Sequence, residues 1–206
     1  MSMFLEEKKK IIDAGIKLDR YGLISLAGGN VSMRMPTGEI LVTPSGMIYE
    51  DMEPDDVLVM DIDGTLTDGK IYMGSYGEVF KAFDVKDGYA IAHLHEAGII
   101  PVIITGRKSK IVENRAKELN IKEVYQGVSD KVEKLKEVAK DNGVLLEEVA
   151  YIGDDLNDLD CMGICGLSAC PNDAIDEVTS SVDFKCNKNG GYGAVREFIN
   201  YIVNKN

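Results

Sequence analysis

Two aspartates two residues apart directly follow a fully apolar run: Val57-Leu58-Val59-Met60 leads into Asp61-Ile62-Asp63-Gly64-Thr65-Leu66-Thr67-Asp68-Gly69. An unbroken apolar run that ends in a Gly-containing acidic turn reads as a strand buried on both faces of a parallel sheet. In an open α/β sheet the carboxyl ends of such strands open into the ligand cleft, which places Asp61 and Asp63 there. One aspartate in a cleft can attack phosphorus. A second can protonate the leaving group and later activate water, so the pair points to phosphoryl transfer.

An acidic turn after a strand is common when it stands alone. Here three further segments have the same form, an apolar run ending in a polar group. Val102-Ile103-Ile104 runs into Thr105-Gly106-Arg107, Gly127-Val128-Ser129-Asp130 into Lys131, and Val149-Ala150-Tyr151-Ile152 into Gly153-Asp154-Asp155-Leu156-Asn157-Asp158. In this order the four segments resemble the motifs of the haloacid dehalogenase (HAD) superfamily, from about Asp56 to the C-terminus. The resemblance implies a Rossmann-like α/β fold, mostly parallel, with helices on both faces of the sheet.

Charge then distributes the roles. A phosphate dianion is repelled by a carboxylate nucleophile, so cations and donors must precede chemistry. Mg²⁺ takes one or two carboxylates, waters and a phosphate oxygen. Asp61 and Asp154 are the expected carboxylate ligands, with the backbone carbonyl of Asp63 as a third. Lys131 would supply a further cation, and Thr105 and the amide of Gly106 would donate to phosphate oxygens. Asp155 and Asp158 would orient metal waters or hold Lys131.

Lys70 to Lys86 carries two aromatic and β-branched runs around a Gly-containing turn and reads as a β-hairpin. In HAD phosphatases a cap domain is often inserted at this place, and a segment this short cannot form one. Closure of the site then falls to a neighbouring subunit, and an oligomer is expected. Asp68-Gly69-Lys70-Ile71-Tyr72-Met73-Gly74, Phe83-Asp84-Val85-Lys86-Asp87-Gly88-Tyr89, Ile104-Thr105-Gly106-Arg107-Lys108-Ser109 and Gly190-Gly191-Tyr192-Gly193-Ala194-Val195-Arg196-Glu197 are similar to the 3-deoxy-D-manno-octulosonate 8-phosphate (KDO 8-phosphate) phosphatases, a capless and typically tetrameric group. That resemblance implies a homotetramer. It places Lys86, Arg107 and Lys108 near the phosphate or carboxylate of the substrate and lets the segment before Arg196 reach a neighbouring site. Lys86 stands where these enzymes usually carry Arg, which keeps the charge and loses the bidentate fork. Gly166 to Ala174 resembles HAD modules linked to sialic acid synthesis, so N-acylneuraminate 9-phosphate or KDN 9-phosphate remains open as the substrate.

The first fifty-five residues read differently. A charged amphipathic helix is expected from about Phe4 to Arg20. Leu23 to Arg34, with Gly28-Gly29-Asn30, and Gly38 to Gly46 resemble the start of a class II, zinc-dependent aldolase, in which the Gly-Gly-Asn loop helps to hold a phosphate. Such aldolases bind zinc through three histidines, and the chain has two, His93 and His95. These fall in an expected helix over Asp87–Ala97, where positions two apart point about 200° apart. The organisation expected is a truncated aldolase-like α+β segment, 1–55, and a HAD phosphatase domain, 56–206. An aldolase-type lyase is disfavoured, and a HAD-derived binding or assembly module without turnover is the alternative of another class.

A net charge of −12 argues against nucleic-acid and anionic-membrane partners. The chain has no long apolar run, and its opening residues lack the apolar core of a signal peptide, so a cytoplasmic protein is expected. Cys161, Cys165, Cys170 and Cys186 lack the paired short spacings of a zinc site and read as small apolar fillers.

Overall fold

The computed structural model describes residues 5–21, 31–35, 40–43 and 56–205. The chain divides into two compact units, Ser2–Asp55 and Asp56–Asn206.

In the smaller unit, helix α1 (Leu5–Arg20) lies against a two-stranded antiparallel ribbon, β1 (Ser32–Arg34) and β2 (Ile40–Val42). Ile11 of α1 is buried, as are Met35 and Thr43 beside the strands, and the Val31 N–H donates to Thr43 Oγ1 at 2.9 Å. Gly28-Gly29-Asn30 and most of Gly38 to Gly46 lie outside the described residues.

The larger unit begins with β3 (Asp56–Met60), followed by a hairpin of β4 (Tyr72–Gly74) and β5 (Gly77–Phe80). Then come α2 (Val85–Ala92), β6 (Ile99–Thr105), α3 (Lys110–Glu118), β7 (Glu123–Gln126) and α4 (Lys131–Asp141). β8 (Val149–Ile152), α5 (Leu156–Met162), β9 (Leu167–Cys170), α6 (Asp176–Thr179), β10 (Phe184–Lys185) and α7 (Ala194–Lys205) complete it. Six strands form one sheet in the order β10-β9-β8-β3-β6-β7, and every pairing in it is parallel.

Side chains alternate across a strand, and both faces of this sheet are dry. Leu58 and Met60 of β3, Ile103 of β6 and Ile152 of β8 face a core closed by Ile91, Val112, Val195 and Phe198. Val57, Val59, Val102, Ile104 and Tyr151 face the opposite core, closed by Leu135, Val138, Met162 and Val178. Each such side chain stabilises the fold by roughly 1.5–3 kcal/mol when fully buried. The continuous apolar run of β3 therefore needs a covering layer on each side.

After β3 the chain builds outward through β6 and β7, then returns to β3's other side with β8, β9 and β10. The order reverses between β3 and β8, and at such a switch point the carboxyl ends of the strands leave a crevice.

Two local expectations change. Gly127–Asp130 is a loop, and the strand before it is β7, whose four residues are only half-buried at the sheet's edge. The segment Asp87–Ala97 is not one helix. α2 ends at Ala92 and a 3₁₀ turn spans Leu94–Ala97, so the His93 and His95 rings stack, 6.5 Å apart, instead of diverging.

Candidate active site

β3 sits between β6 and β8, with Met60 paired to Ile103 and Ile152, and the Asp61 N–H extends the ladder by donating to Ile152 O at 3.0 Å. The carboxylate of Asp61 is thereby delivered, buried, to the switch point. The chain then turns sharply through Ile62–Leu66, where Asp63 and Gly64 leave helical geometry, Gly64 at φ 93°. A Cβ on Gly64 would lie 1.9 Å from Asp154 Oδ2, so only glycine lets the turn approach that carboxylate. Gly190 serves likewise from the other side, since a Cβ there would meet the Gly64 carbonyl oxygen at 1.8 Å.

Asp154 follows β8, and Thr65 Oγ1 donates to its Oδ1 at 3.2 Å. Asp158, in the first turn of α5, is fully enclosed. Its Oδ1 accepts from Lys131 Nζ and from the Tyr151 hydroxyl, each at 2.7 Å. Its Oδ2 accepts the N–H groups of Asp154 at 3.2 Å and Asp155 at 3.3 Å. Asp155 is exposed and caps α5 by accepting the Leu156 N–H. Of the two aspartates expected to support the site, Asp158 is thus the one that holds Lys131.

Lys131 is the first residue of α4, which Asp130 caps by accepting the Glu133 N–H. Its side chain, 4% exposed, also reaches Asp61 Oδ1 at 2.9 Å. Burial pulls Lys131 toward the neutral form, but Asp61 and Asp158 outweigh it and raise its pKa. Thr105 ends β6, two residues past the partner of Met60, and is buried, while Gly106 is exposed beside it.

One oxygen each of Asp61, Asp154 and Asp158 lie within 4.8 Å of one another. Burial and then Asp158 push Asp61 up to about 6, although Lys131 opposes the shift. Burial and the charges of Asp61 and Asp158 push Asp154 up to about 8. Three clustered carboxylates against one ammonium are short of positive charge, and an all-oxygen donor set of this kind fits a hard divalent cation. Because Asp158 is already engaged on both oxygens, Asp61 and Asp154 are the carboxylates with capacity to spare.

Asp63 stands at the mouth. Lys81 Nζ contacts its Oδ1, and Arg107 Nε lies 3.5 Å from its Oδ2. Lys86 is exposed and lines a hollow of about 370 Å³ with Asp68, Gly191 and Tyr192. Lys108 lies along Gly127 and lines a different hollow with Lys117 and Lys122. Arg196 folds back on its own unit. Its guanidinium lies 5.3 Å from the centre of the Tyr89 ring and its Nε donates to Asn200 Oδ1.

Four residues that the sequence did not single out complete the arrangement: Thr65, Tyr151, Lys81 and Glu78. Tyr151 reads as core and Thr65 as part of a turn. The one local sign of Lys81 is an inverted pattern, a buried lysine after the exposed apolar residues Val79 and Phe80.

The model of the class II aldolase and adducin N-terminal domain matches residues 9–149, and that of haloacid dehalogenase-like hydrolases matches residues 121–199. From Asp56 onward the first match runs over β3, which leads into Asp61, and β6, which ends in Thr105. The 3-deoxy-D-manno-octulosonate 8-phosphate phosphatase of Yersinia pestis is 44% identical over 147 residues, 71% of this chain and 79% of its own length. That of Escherichia coli K12 is 42% identical, covering 71% and 78%. The crystal structure of the Moraxella catarrhalis phosphatase, in complex with magnesium ion, phosphate ion and a KDO molecule, is 41% identical with a TM-score of 0.70, covering 72% of this chain and 86% of that one. The cobalt-bound phosphatase of Haemophilus influenzae is 37% identical with a TM-score of 0.71, covering 72% and 87%.

Proposed function

We infer the reaction from the family: the chain belongs to the 3-deoxy-D-manno-octulosonate 8-phosphate phosphatases of the haloacid dehalogenase-like hydrolases, and its stretch from residue 9 belongs also to the class II aldolase and adducin N-terminal domain family. It is a phosphomonoester hydrolase, and its substrate is KDO 8-phosphate. The observation that carries this reading is the meeting of Asp61 and Lys131 at the switch point, 2.9 Å apart and buried, beside Asp154.

An Asp61 carboxylate oxygen attacks phosphorus as the ester P–O bond breaks, and Asp63 gives its proton to the departing sugar oxygen. Asp63 then takes a proton from a water whose oxygen attacks the aspartyl-phosphate, and the acyl P–O bond breaks. Inorganic phosphate leaves and Asp61 is regenerated, so one water is consumed per ester. Lys131 offsets the negative charge that gathers at Asp61, and Thr105 with the Gly106 amide would donate to phosphate oxygens. Asp61, Asp154 and the Asp63 carbonyl would hold Mg²⁺, whose charge neutralises the phosphate dianion.

Lys86, Arg107 and Lys108 supply the cations from which the sugar carboxylate is recognised, and Arg196 would act on the site of a neighbouring subunit. A homotetramer accounts for the hairpin, where Met73, Tyr76, Val79 and Phe80 are exposed together. Residues 56–206 hold the whole reaction, and residues 1–55 are a truncated aldolase-like segment without an activity of its own. His93 and His95 bond to backbone carbonyl oxygens of Tyr89 and Ala92, within the larger unit.

The test is phosphate release from KDO 8-phosphate, N-acylneuraminate 9-phosphate, KDN 9-phosphate and an aryl phosphate, each with Mg²⁺ and with excess chelator. A Mg²⁺-dependent preference for KDO 8-phosphate is expected. Preference for a nine-carbon acid would move the substrate, and no release from any ester would make the chain a non-catalytic module.

A further inference from the structure

Lys81 follows β5, and its side chain is 1% exposed, whereas Val79 and Phe80 just before it face outward. That is the reverse of what a hairpin packed on a domain should bury. An enclosed ammonium costs several kcal/mol unless it is paired, so its partners identify what it does. Lys81 Nζ contacts Asp63 Oδ1 and lies 3.0 Å from Glu78 Oε1. Glu78 in turn accepts from Ser109 Oγ, and Arg107 Nη2 lies 3.8 Å from its Oε1. Ser109 is the residue before α3, on the loop that follows Thr105 and carries Gly106 and Arg107.

Asp63 lies on a turn and is only partly covered, so its carboxyl would sample several rotamers if nothing held it. Two cations reach it. Arg107 is 43% exposed and 3.5 Å away, so water competes for that contact. Lys81 is enclosed and also ion-paired with Glu78.

We propose that Lys81 is the positioning residue for proton transfer: anchored by Glu78, it holds the Asp63 carboxyl where it can serve the leaving oxygen. The hairpin thus contributes to chemistry from within the same chain, in addition to any role at a subunit interface. The inference rests on the phosphatase reading above.

Proton delivery matters most when the leaving group is a poor one. A sugar alkoxide needs a proton as the P–O bond breaks, whereas 4-nitrophenolate departs without one. The expected result is that Lys81→Met depresses single-turnover phosphoryl transfer from KDO 8-phosphate relative to 4-nitrophenyl phosphate, lowering the ratio of the two rates about 10- to 100-fold, within the span of general acid catalysis. Lys81→Arg should recover part of that ratio, and Glu78→Gln, which loosens the anchor and keeps the ammonium, should shift it in the same direction by less. Thermal melts with and without Mg²⁺ identify variants that have lost the fold, and Glu78→Gln decides the matter if Lys81→Met has. An equal loss on both esters in the folded variants would make Lys81 a structural residue and overturn the proposal. A wild-type chain that transfers phosphate from neither ester would overturn the phosphatase reading itself.

Discussion

Lys131 Nζ lies 2.7 Å from Asp158 Oδ1, a contact between the first turns of two helices whose residues are 27 apart in sequence. Neither side chain is open to water, at 4% and 0% exposure. The Asp158 carboxylate also accepts the Tyr151 hydroxyl and two backbone N–H groups of the loop that carries Asp154. One side chain therefore fixes both the lysine beside Asp61 and the loop that presents Asp154.

Removing that anchor should be severe. Asp158→Ala leaves Lys131 enclosed with Asp61 as its remaining carboxylate, and breaking a buried pair in this way costs about 3–5 kcal/mol. Tyr151→Phe removes one neutral donor from the same oxygen and should cost only about 1 kcal/mol. Urea denaturation of the two variants checks the order, and similar losses would show that Asp158 is not the anchor.

Gly64 admits Asp154 to the turn that follows Asp61. In Gly64→Ala the left-handed backbone alone is unfavourable by roughly 1–2 kcal/mol, and the added methyl overlaps Asp154. The expected signature is specific. The rise in melting temperature on adding Mg²⁺ should disappear in the variant while persisting in the wild type, and an unchanged Mg²⁺ shift would contradict the close approach.

Asp87 gives a pH dependence distinct from that of the active site. It is buried in α2 and its Oδ1 accepts the Arg196 N–H at 2.6 Å, while its Oδ2 has no hydrogen-bond partner among the described residues. Burial, with a smaller push from Asp84, raises its pKa from 3.8 to about 6 against the Arg196 and Gly193 N–H groups and the Arg196 charge. A carboxyl raised in the folded state binds more protons folded than unfolded between these values. Its stabilising contribution is present below the ordinary value and is lost as pH rises through about 6, amounting to at most about 3 kcal/mol. The difference in stability between Asp87→Asn and wild type, followed by urea denaturation from pH 4 to 7, should therefore move in favour of the variant. A pH-independent difference would contradict this.

The hairpin provides a test of assembly. Val79 and Met73 are more than half exposed on the β4–β5 ribbon, while Tyr72 and Phe80 stack on each other with ring centres 4.2 Å apart. On the proposed homotetramer, Val79→Glu should yield smaller species than wild type in sedimentation and reduce turnover with it. A variant that stays tetrameric would move the interface elsewhere.

Much of this was legible in the sequence because the buried strands write their ends plainly. β3, β6 and β8 are apolar on both faces, so the first polar residue after each, at Asp61, Thr105 and soon after β8 at Asp154, marks the crevice. β7 has no such signature, because an edge strand of half-buried residues is not a continuous apolar run, and it lies four residues before the segment whose pattern suggests it. Lys81 could not be located from sequence alone, since its burial depends on partners at Asp63, 18 residues away, and Glu78, on the strand it follows. The stacking of His93 on His95 was hidden for a different reason. It depends on where α2 gives way to a tighter turn, and helix ends are weakly encoded.

In the proposed mechanism Asp61 carries the phosphoryl group. Labelled KDO 8-phosphate mixed with enzyme and Mg²⁺, then quenched in acid within a turnover, should leave label on the wild-type chain and none on Asp61→Asn. The variant should also turn over at least about 10³-fold more slowly with its fold intact. Label retained by Asp61→Asn, or turnover near the wild-type rate, would contradict the account.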